Sequence, residues 1–222
     1  MSQGNKHIVQ EYFDRVVNGK NLDQMDEYFV ENCVFHGIPY AGLGVFPDDS
    51  SGDKVLVRLI APGSPALSKL KPGDQIVSAE DENGHWDTFQ LLKTGSWGQG
   101  KIGTWVKLKV RRDGQELDFQ FERALIQGFD FIYSETKDTF RTYLEKEYPD
   151  LKVSIHHLIE DGNLVAVYLT NVGTNPDYNR QAVWDEFDIY RLVDGKIVEG
   201  WGLEDIFSQV KQLGYLIEPP PA

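Results

Sequence analysis

Apolar positions in the first thirty residues recur at helical spacing. Ile8, Val9, Tyr12, Phe13, Val16 and Val17 fall at i, i+1, i+4, i+5, i+8 and i+9, one stripe of a helix. Gly19 stands where a C-terminal cap belongs. Asn21 is a candidate N-cap for a second helix reaching about Val30, with Leu22, Met25, Tyr28 and Phe29 inward. A third begins near Asp138, places Phe140, Tyr143 and Leu144 on one face, and stops before Pro149. Beyond Pro149 the pattern turns to strands. Runs at 152–159, 164–172, 182–192 and 196–203 read as four strands, with tight hairpins at Asp161-Gly162 and Asp194-Gly195. A closing helix carries Ile206, Val210 and Leu213 and ends at Gly214, and the proline-rich tail from Glu218 belongs outside the core.

Between these halves the texture changes. From Ala41 to Asp130 turn dipeptides (Pro62-Gly63, Pro72-Gly73, Asn83-Gly84, Asp113-Gly114) separate short alternating runs such as 54–60 and 104–110. Residues 38–130 hold 11 basic and 13 acidic side chains, against 11 and 22 outside, so the flanks carry nearly all the negative charge. One domain interrupts another: 1–37 and 131–222 form an outer domain, and 38–130 an insert.

Composition narrows the function. The 222 residues are 41% apolar and 26% charged, enough to build packed cores. No apolar run approaches the ~20 residues of a membrane span. A net charge of −13 disfavours nucleic acid and anionic lipid as partners. Cys33 is the only cysteine, which excludes a disulfide framework and a multi-cysteine metal site. With no secretory signal pattern at the start, a cytoplasmic protein is expected.

Within the insert, Gly42-Leu43-Gly44-Val45 resembles the carboxylate-binding loop of PDZ domains. Ala61-Pro-Gly-Ser-Pro-Ala66, followed by Leu70-Lys-Pro-Gly-Asp-Gln-Ile-Val77, is similar to bacterial PDZ modules, and so is the late hairpin Trp105–Gly114. Two glycines let successive N–H groups converge on one anion, and an adjoining strand edge can take a peptide as an added strand. The resemblance therefore implies capture of a protein C-terminus by Gly42, Leu43, Gly44 and Val45. The alternative is that Gly42 and Gly44 only shape a tight turn at the junction. No Arg or Lys directly precedes the loop, so a carboxylate there relies on backbone N–H groups.

The flanks, read as one chain, resemble the SnoaL-like polyketide cyclases of the NTF2-like superfamily. The residues that carry the likeness are Tyr12-Phe13, Val17–Asp23, Val34-Phe-His-Gly37, Tyr148–Leu151, Asp194–Trp201, Asp205 and Gln212–Gly214. The resemblance implies an α+β class: a cone-shaped barrel, commonly dimeric through its sheet, interrupted here by the PDZ-like β-rich insert. It further implies intramolecular aldol cyclisation of a small apolar oxygenated substrate without metal or cofactor. By the match to Trp-x-x-x-Asp, Asp205 is the residue that handles protons.

Strand parity puts Ile197, Glu199, Trp201 and Leu203 on one face and, by extension, Asp205 beside Trp201. A carboxylate next to an indole in a dry pocket has its pKa raised toward neutrality, suited to general acid–base work. Asp205 is equally placed to cap the helix that follows. His36 ends a strand and is either a second acid–base group or ordinary hydrogen-bonded structure. Phe13, Tyr28, Trp201 and Glu199 are the expected substrate contacts. Asp185, Glu186 and Asp188 lack the spacing of a calcium loop and read as a solvated face. Two readings result: an acid–base enzyme with a peptide-binding insert, or a non-catalytic ligand- and peptide-binding adaptor.

Overall fold

A computed structural model of the protein describes residues 4–48, 52–89, 92 and 96–216; the proline-rich tail lies outside them. Along the chain, α1 (Asn5–Glu11) continues as a wider π-wound segment (Tyr12–Asn18), a 3-10 turn (Leu22–Gln24) leads into α2 (Met25–Tyr28), and β1 is Phe29–His36. The middle holds β2 (Tyr40–Gly42), β3 (Val45–Pro47), β4 (Val55–Ile60), β5 (Gln75–Asp81), β6 (Gly84–Trp86), β7 (Trp105–Arg112), β8 (Gln115–Glu122) and β9 (Ala124–Ile126). Then follow β10 (Phe131–Ile132), α3 (Tyr133–Thr142) with a π-wound extension (Tyr143–Glu147), β11 (Lys152–Asp161), β12 (Leu164–Asn175), β13 (Arg180–Val193), β14 (Lys196–Glu204) and α4 (Ile206–Leu213). The chain divides into two compact units, Met1–His36 with Asp130–Ala222, and Gly37–Phe129.

The outer unit is α+β, built on a six-stranded sheet in the order β10-β1-β14-β13-β12-β11. β1 runs parallel to β14 and the other pairs are antiparallel. The sheet is open, with β10 and β11 at its edges, rather than a closed barrel. Along β12, odd-numbered residues from Val165 to Asn175 are buried and even-numbered ones only partly so. The predicted stripe of α1, including Val9, Tyr12, Phe13, Val16 and Val17, joins the same core as Val165, Val167, Leu169, Trp184 and Tyr190. On β13 the core face is Ala182, Trp184, Glu186, Asp188, Tyr190 and Leu192, because each pairs with an odd residue of β12 or sits in step with one that does.

Two boundaries differ from expectation. The second helix ends at Tyr28, and Phe29 opens β1. The third starts at Tyr133, five residues before Asp138, with Ile132 as an N-cap that offers no side-chain hydrogen bond. That start is fixed by tertiary contacts instead: the Tyr133 hydroxyl donates to Asp26 at 2.8 Å, and its ring stacks on Phe29 at 4.9 Å. At the β13–β14 hairpin, Asp194 and Gly195 both have positive φ, the geometry of a tight two-residue turn.

The inner unit has a sheet ordered β3-β4-β5-β7-β8, with β6 paired to β5, and a separate β2–β9 pair. Leu43, Val57, Ile76, Val106, Leu108 and Val110 are in its core. Arg123, fully buried, donates to Asp81, to the Trp97 carbonyl at 3.0 Å and to Thr104 Oγ1 at 2.9 Å. Among the described residues no helix is long and apolar enough to cross a membrane.

Candidate active site

The outer unit's core face carries acidic groups where burial would normally exclude them. Glu186 and Asp188 lie on the core face of β13 in step with Trp184 and Tyr190, Asp188 buried and Glu186 partly buried. Asp188 is 5% exposed. Its carboxylate accepts the Tyr190 hydroxyl at 2.8 Å, while Asn171 of β12 donates to Glu186 at 2.7 Å. Glu186 and Asp188 are two residues apart on the same face of β13. Burial, and then the facing Asp188 charge, push Glu186 well above the carboxylate range. Burial raises Asp188 as well, opposed by its hydrogen bond to Tyr190. Two carboxyls this close in a dry setting cannot both ionise readily, so they share a proton at neutral pH.

A third acid completes the cluster from the neighbouring strand. Glu204 pairs with Glu186 across β13–β14, so both point to the same side. Glu204 sits at the rim: solvent reaches the residue, yet protein crowds its carboxyl. That crowding, and then the Glu186 charge, push it up to about 7. Asp188 pairs in the same register with Gly202, and a Cβ at Gly202 would lie 2.7 Å from Asp188 Oδ1. The missing side chain makes room for the carboxylate. Gly202 is itself exposed, so the acids are approached from the end of β14.

Tyrosines and one indole surround the acids. The Tyr12 and Tyr190 hydroxyls are raised by burial first and by the Asp188 and Glu186 charges after it. Burial, then the Glu204 charge, raises Tyr143. These hydroxyls stay protonated as donors. Trp184 is 2% exposed, and its indole Nε1 has no hydrogen-bond partner in the protein. A buried donor left unpaired costs stability. Phe13 packs against Tyr190, ring centroids 6.4 Å apart, which brings one of the expected contact residues to this interior.

Family models match both units. The model of the SnoaL-like polyketide cyclases matches residues 126–213, and that of the PDZ domain matches residues 41–122. The chain joins a SnoaL-like domain to a PDZ domain. No curated protein matches it. Among solved structures it is similar to a SnoaL-like polyketide cyclase from Agrobacterium tumefaciens, at 14% identity and a TM-score of 0.47, over 96% of this chain and 99% of that one. TsrD from Streptomyces laurentii gives 11% and 0.47 over 97% and 99% of the two chains. Wild-type IdmH from Streptomyces antibioticus gives 14% and 0.44 over 96% and 100%. The SnoaL-like match supports a cyclase-type function.

Several expected residues of the SnoaL-like domain lie elsewhere. Asp205 is exposed and caps α4, its carboxylate accepting the Ser208 N–H at 3.0 Å. That bond holds its carboxyl below the usual range, so the half-dry acid expected at this position is found instead at Glu186, Asp188 and Glu204. Trp201 and Glu199 face away from the core. Ile197 pairs with Leu192 but Glu199 pairs with Arg191, so an extra residue near Val198 bulges β14 and flips its parity. Ile197 is buried, while Glu199 and Trp201 join the opposite face.

There they gather His36. Its ring stacks on Trp201 at 4.8 Å and its nitrogens lie 3.1 Å from Asp130 and 3.2 Å from Glu199. Arg191 donates to Glu199 at 2.6 Å. This is a surface network on the outer face, apart from the acid cluster. Tyr28 packs on Tyr12 at 5.8 Å and lines a surface cleft of about 630 Å³ with Glu11, Arg15 and Asp194. Cys33 is buried and its thiol pushed up to about 12, first by burial, which leaves it inert.

Glu186 and Asp188 are the residues that the solvated-face reading missed. Their signal was parity with Trp184 and Tyr190. Nothing in one strand alone says which side faces the helices; that is set by pairing with β12. In the PDZ unit, Gly42 ends β2, Leu43 is fully buried, Gly44 takes φ +76° against Ser64, and Val45 opens β3.

Proposed function

We propose that the SnoaL-like unit is a cofactor-independent acid–base catalyst of intramolecular aldol cyclisation or a related isomerisation, and that Asp188, Glu186 and Glu204 handle its protons. The observation that carries this reading is the proton-sharing carboxyl pair on the core face, with an unpartnered indole N–H on the same face of β13. The substrate class that suits it is a small apolar ketone. Asp188 takes an α-proton, leaving an enolate whose oxygen accepts from Trp184 Nε1. The enolate carbon attacks a second carbonyl carbon of the same molecule. The alkoxide formed takes the proton held by Glu186, and the proton on Asp188 passes to Glu186 to restore the pair. No atom is gained or lost, as an isomerisation requires. Such proton transfers typically contribute about 10²–10⁴-fold. Glu204, at the rim, exchanges protons with solvent.

The test uses deuterium exchange at α-carbons of an aryl-ketone panel in D2O, followed by NMR. Wild-type protein accelerates exchange of at least one member, Asp188→Asn loses it, and Asp205→Asn keeps it. Loss in Asp205→Asn with retention in Asp188→Asn overturns this assignment. A protein inactive on every ketone favours the adaptor reading, in which both units only bind.

The remaining partners follow from surfaces. The outer sheet face exposes Phe187 (58%) and Leu203 (60%), which pair across β13–β14, beside Ile189 and Val183. An apolar face of this kind supports a homodimer through the sheet. The PDZ unit is assigned a protein C-terminal peptide, and a cytoplasmic setting suits the single buried thiol.

A further inference from the structure

The cleft of about 630 Å³ in the outer unit lies beside the β13–β14 turn, and its size suits a small molecule. Its walls come from α1, the π-wound segment after it, α2 and the turn itself. Contacts among these elements fix the walls. Lys196 Nζ donates to the Asp26 carbonyl at 2.9 Å, tying the start of β14 to α2. The Tyr28 and Tyr12 rings pack at 5.8 Å, and a Cβ at Gly195 would lie 3.9 Å from Ile8 Cδ1. Both α2 and the turn therefore rest on the first helical segment. The acid cluster is at the other end of the strand: the turn precedes β14 and Glu204 ends it, nine residues along at roughly 3.3 Å each.

The cleft is charged and its charges are largely unspent. Glu11, Glu27 and Asp194 supply three carboxylates, and Arg15 one guanidinium. Glu11 lies 3.7 Å from His7, one turn back. Arg15, Glu27 and Asp194 have no ion-pair partner among the described residues. Tyr28 adds a second kind of evidence. It is 5% exposed, and its buried hydroxyl has no hydrogen-bond partner. Burial raises that hydroxyl, the Arg15 charge opposes the rise, and the Glu11 and Glu27 charges add to it, so the groups that act on it belong to the cleft. A buried donor left unpaired costs stability unless something arrives to accept from it.

We propose that this cleft binds a basic amino acid, with its carboxylate on the Arg15 guanidinium and the Tyr28 hydroxyl and its two cationic groups on the carboxylates of Glu11, Glu27 and Asp194. Charge complementarity selects that class. Three acids and one base are matched by a ligand that carries two cations and one carboxylate. Arg15 offers a carboxylate a paired set of N–H donors, and the hydroxyl that lacks an acceptor gains one. Ile8 is the apolar wall for the ligand's methylene chain. A polyamine leaves Arg15 and Tyr28 unanswered, and an acidic amino acid meets like charge.

Titration of the full chain, followed by 15N NMR at millimolar ligand, tests the assignment with L-arginine, agmatine and L-glutamate. Agmatine keeps both cations and lacks the carboxylate. L-Arginine is expected to shift the amides of Ile8, Tyr28 and Gly195, agmatine to bind about tenfold more weakly, and L-glutamate to cause no shift. Tyr28→Phe keeps the packed ring, and Arg15 is exposed, so Tyr28→Phe and Arg15→Gln are expected to fold as wild type. Each is expected to weaken L-arginine about tenfold without weakening agmatine. Glu27→Gln with Asp194→Asn is expected to weaken both cations. Agmatine bound as tightly as L-arginine, or L-arginine bound unchanged by Tyr28→Phe, overturns the amino-acid assignment. L-Glutamate bound as well as L-arginine overturns the charge argument. No shift with any of the three overturns the site.

Discussion

Glu186 and Asp188 stand two residues apart on one face of β13, and burial raises both carboxyls above their ordinary range. A carboxyl held protonated by burial makes the folded state bind more protons than the unfolded one. With the native pKa raised, stability is greatest below the unfolded carboxylate range, near pH 4, and is lost as pH rises through the native values, Glu204's being about 7. The cluster thus contributes a fall in melting temperature between about pH 5 and 8. Glu186→Gln keeps the shape, removes the titrating group, and flattens that fall; calorimetry across the range checks it. A slope unchanged in the variant contradicts the shared proton.

Asp205 makes a separate prediction. As an exposed N-cap it contributes to helix stability, so Asp205→Ala lowers the urea midpoint. The Ser208 N–H loses its acceptor. The pH dependence of stability through neutrality stays as in wild type, since the Asp205 carboxyl is held below the usual range. Urea unfolding at pH 6 and pH 8 measures both.

Most of this architecture was legible because periodicity reports burial directly. The stripe from Ile8 to Val17 is the core face of α1, and Asp194-Gly195 is the tight turn it reads as. Gly19 shows where local reading falls short. It has ordinary right-handed φ, and the positive φ belongs to Lys20 next to it. Gly19 is needed because a Cβ there would lie 2.4 Å from the Arg15 carbonyl. The site was harder to read. Parity grouped Glu199 with Ile197, and a single bulged residue separated them. Parity also grouped Glu186 and Asp188 with Trp184 and Tyr190, and here the grouping held. What remained hidden was which face of β13 meets the helices, a fact of strand pairing that no single segment contains.

The outer sheet face yields a prediction about assembly. Phe187 stacks on Tyr168 at 4.4 Å and remains more than half exposed. Phe187→Glu adds a charge to that apolar surface and is expected to shift light-scattering mass from two chains to one, with circular dichroism unchanged. A wild-type protein that is monomeric at all concentrations removes the sheet as a pairing surface.

In the PDZ unit, Arg123 and Asp81 form a buried ion pair whose side chains are 0% and 2% exposed. Replacing Arg123 by Ala leaves the Asp81 charge without its partner in a dry setting, at a cost of about 3–5 kcal/mol. It also frees the Trp97 carbonyl and Thr104. Arg123→Met with Asp81→Leu removes both charges and is expected to recover most of the loss. Denaturant midpoints of the single and double variants decide between a pair that stabilises and one that only satisfies itself.

Gly202 gives the sharpest test of the acid cluster's geometry. Its absent side chain is where Asp188 Oδ1 sits, 2.7 Å from the position of a Cβ. Asp188 is buried and anchored by the Tyr190 hydroxyl, so it cannot swing to solvent. Gly202→Ala therefore overpacks the pair and costs about 1–3 kcal/mol. Its φ lies outside the left-handed region, so backbone strain adds nothing. Asp188→Ala removes the obstructing oxygen, and in that background Gly202→Ala is expected to be close to neutral. The two substitutions should then show a coupling of the same size as the single loss. Additive effects in urea unfolding would mean that the β14 backbone moves aside and that the glycine is not what seats the carboxylate.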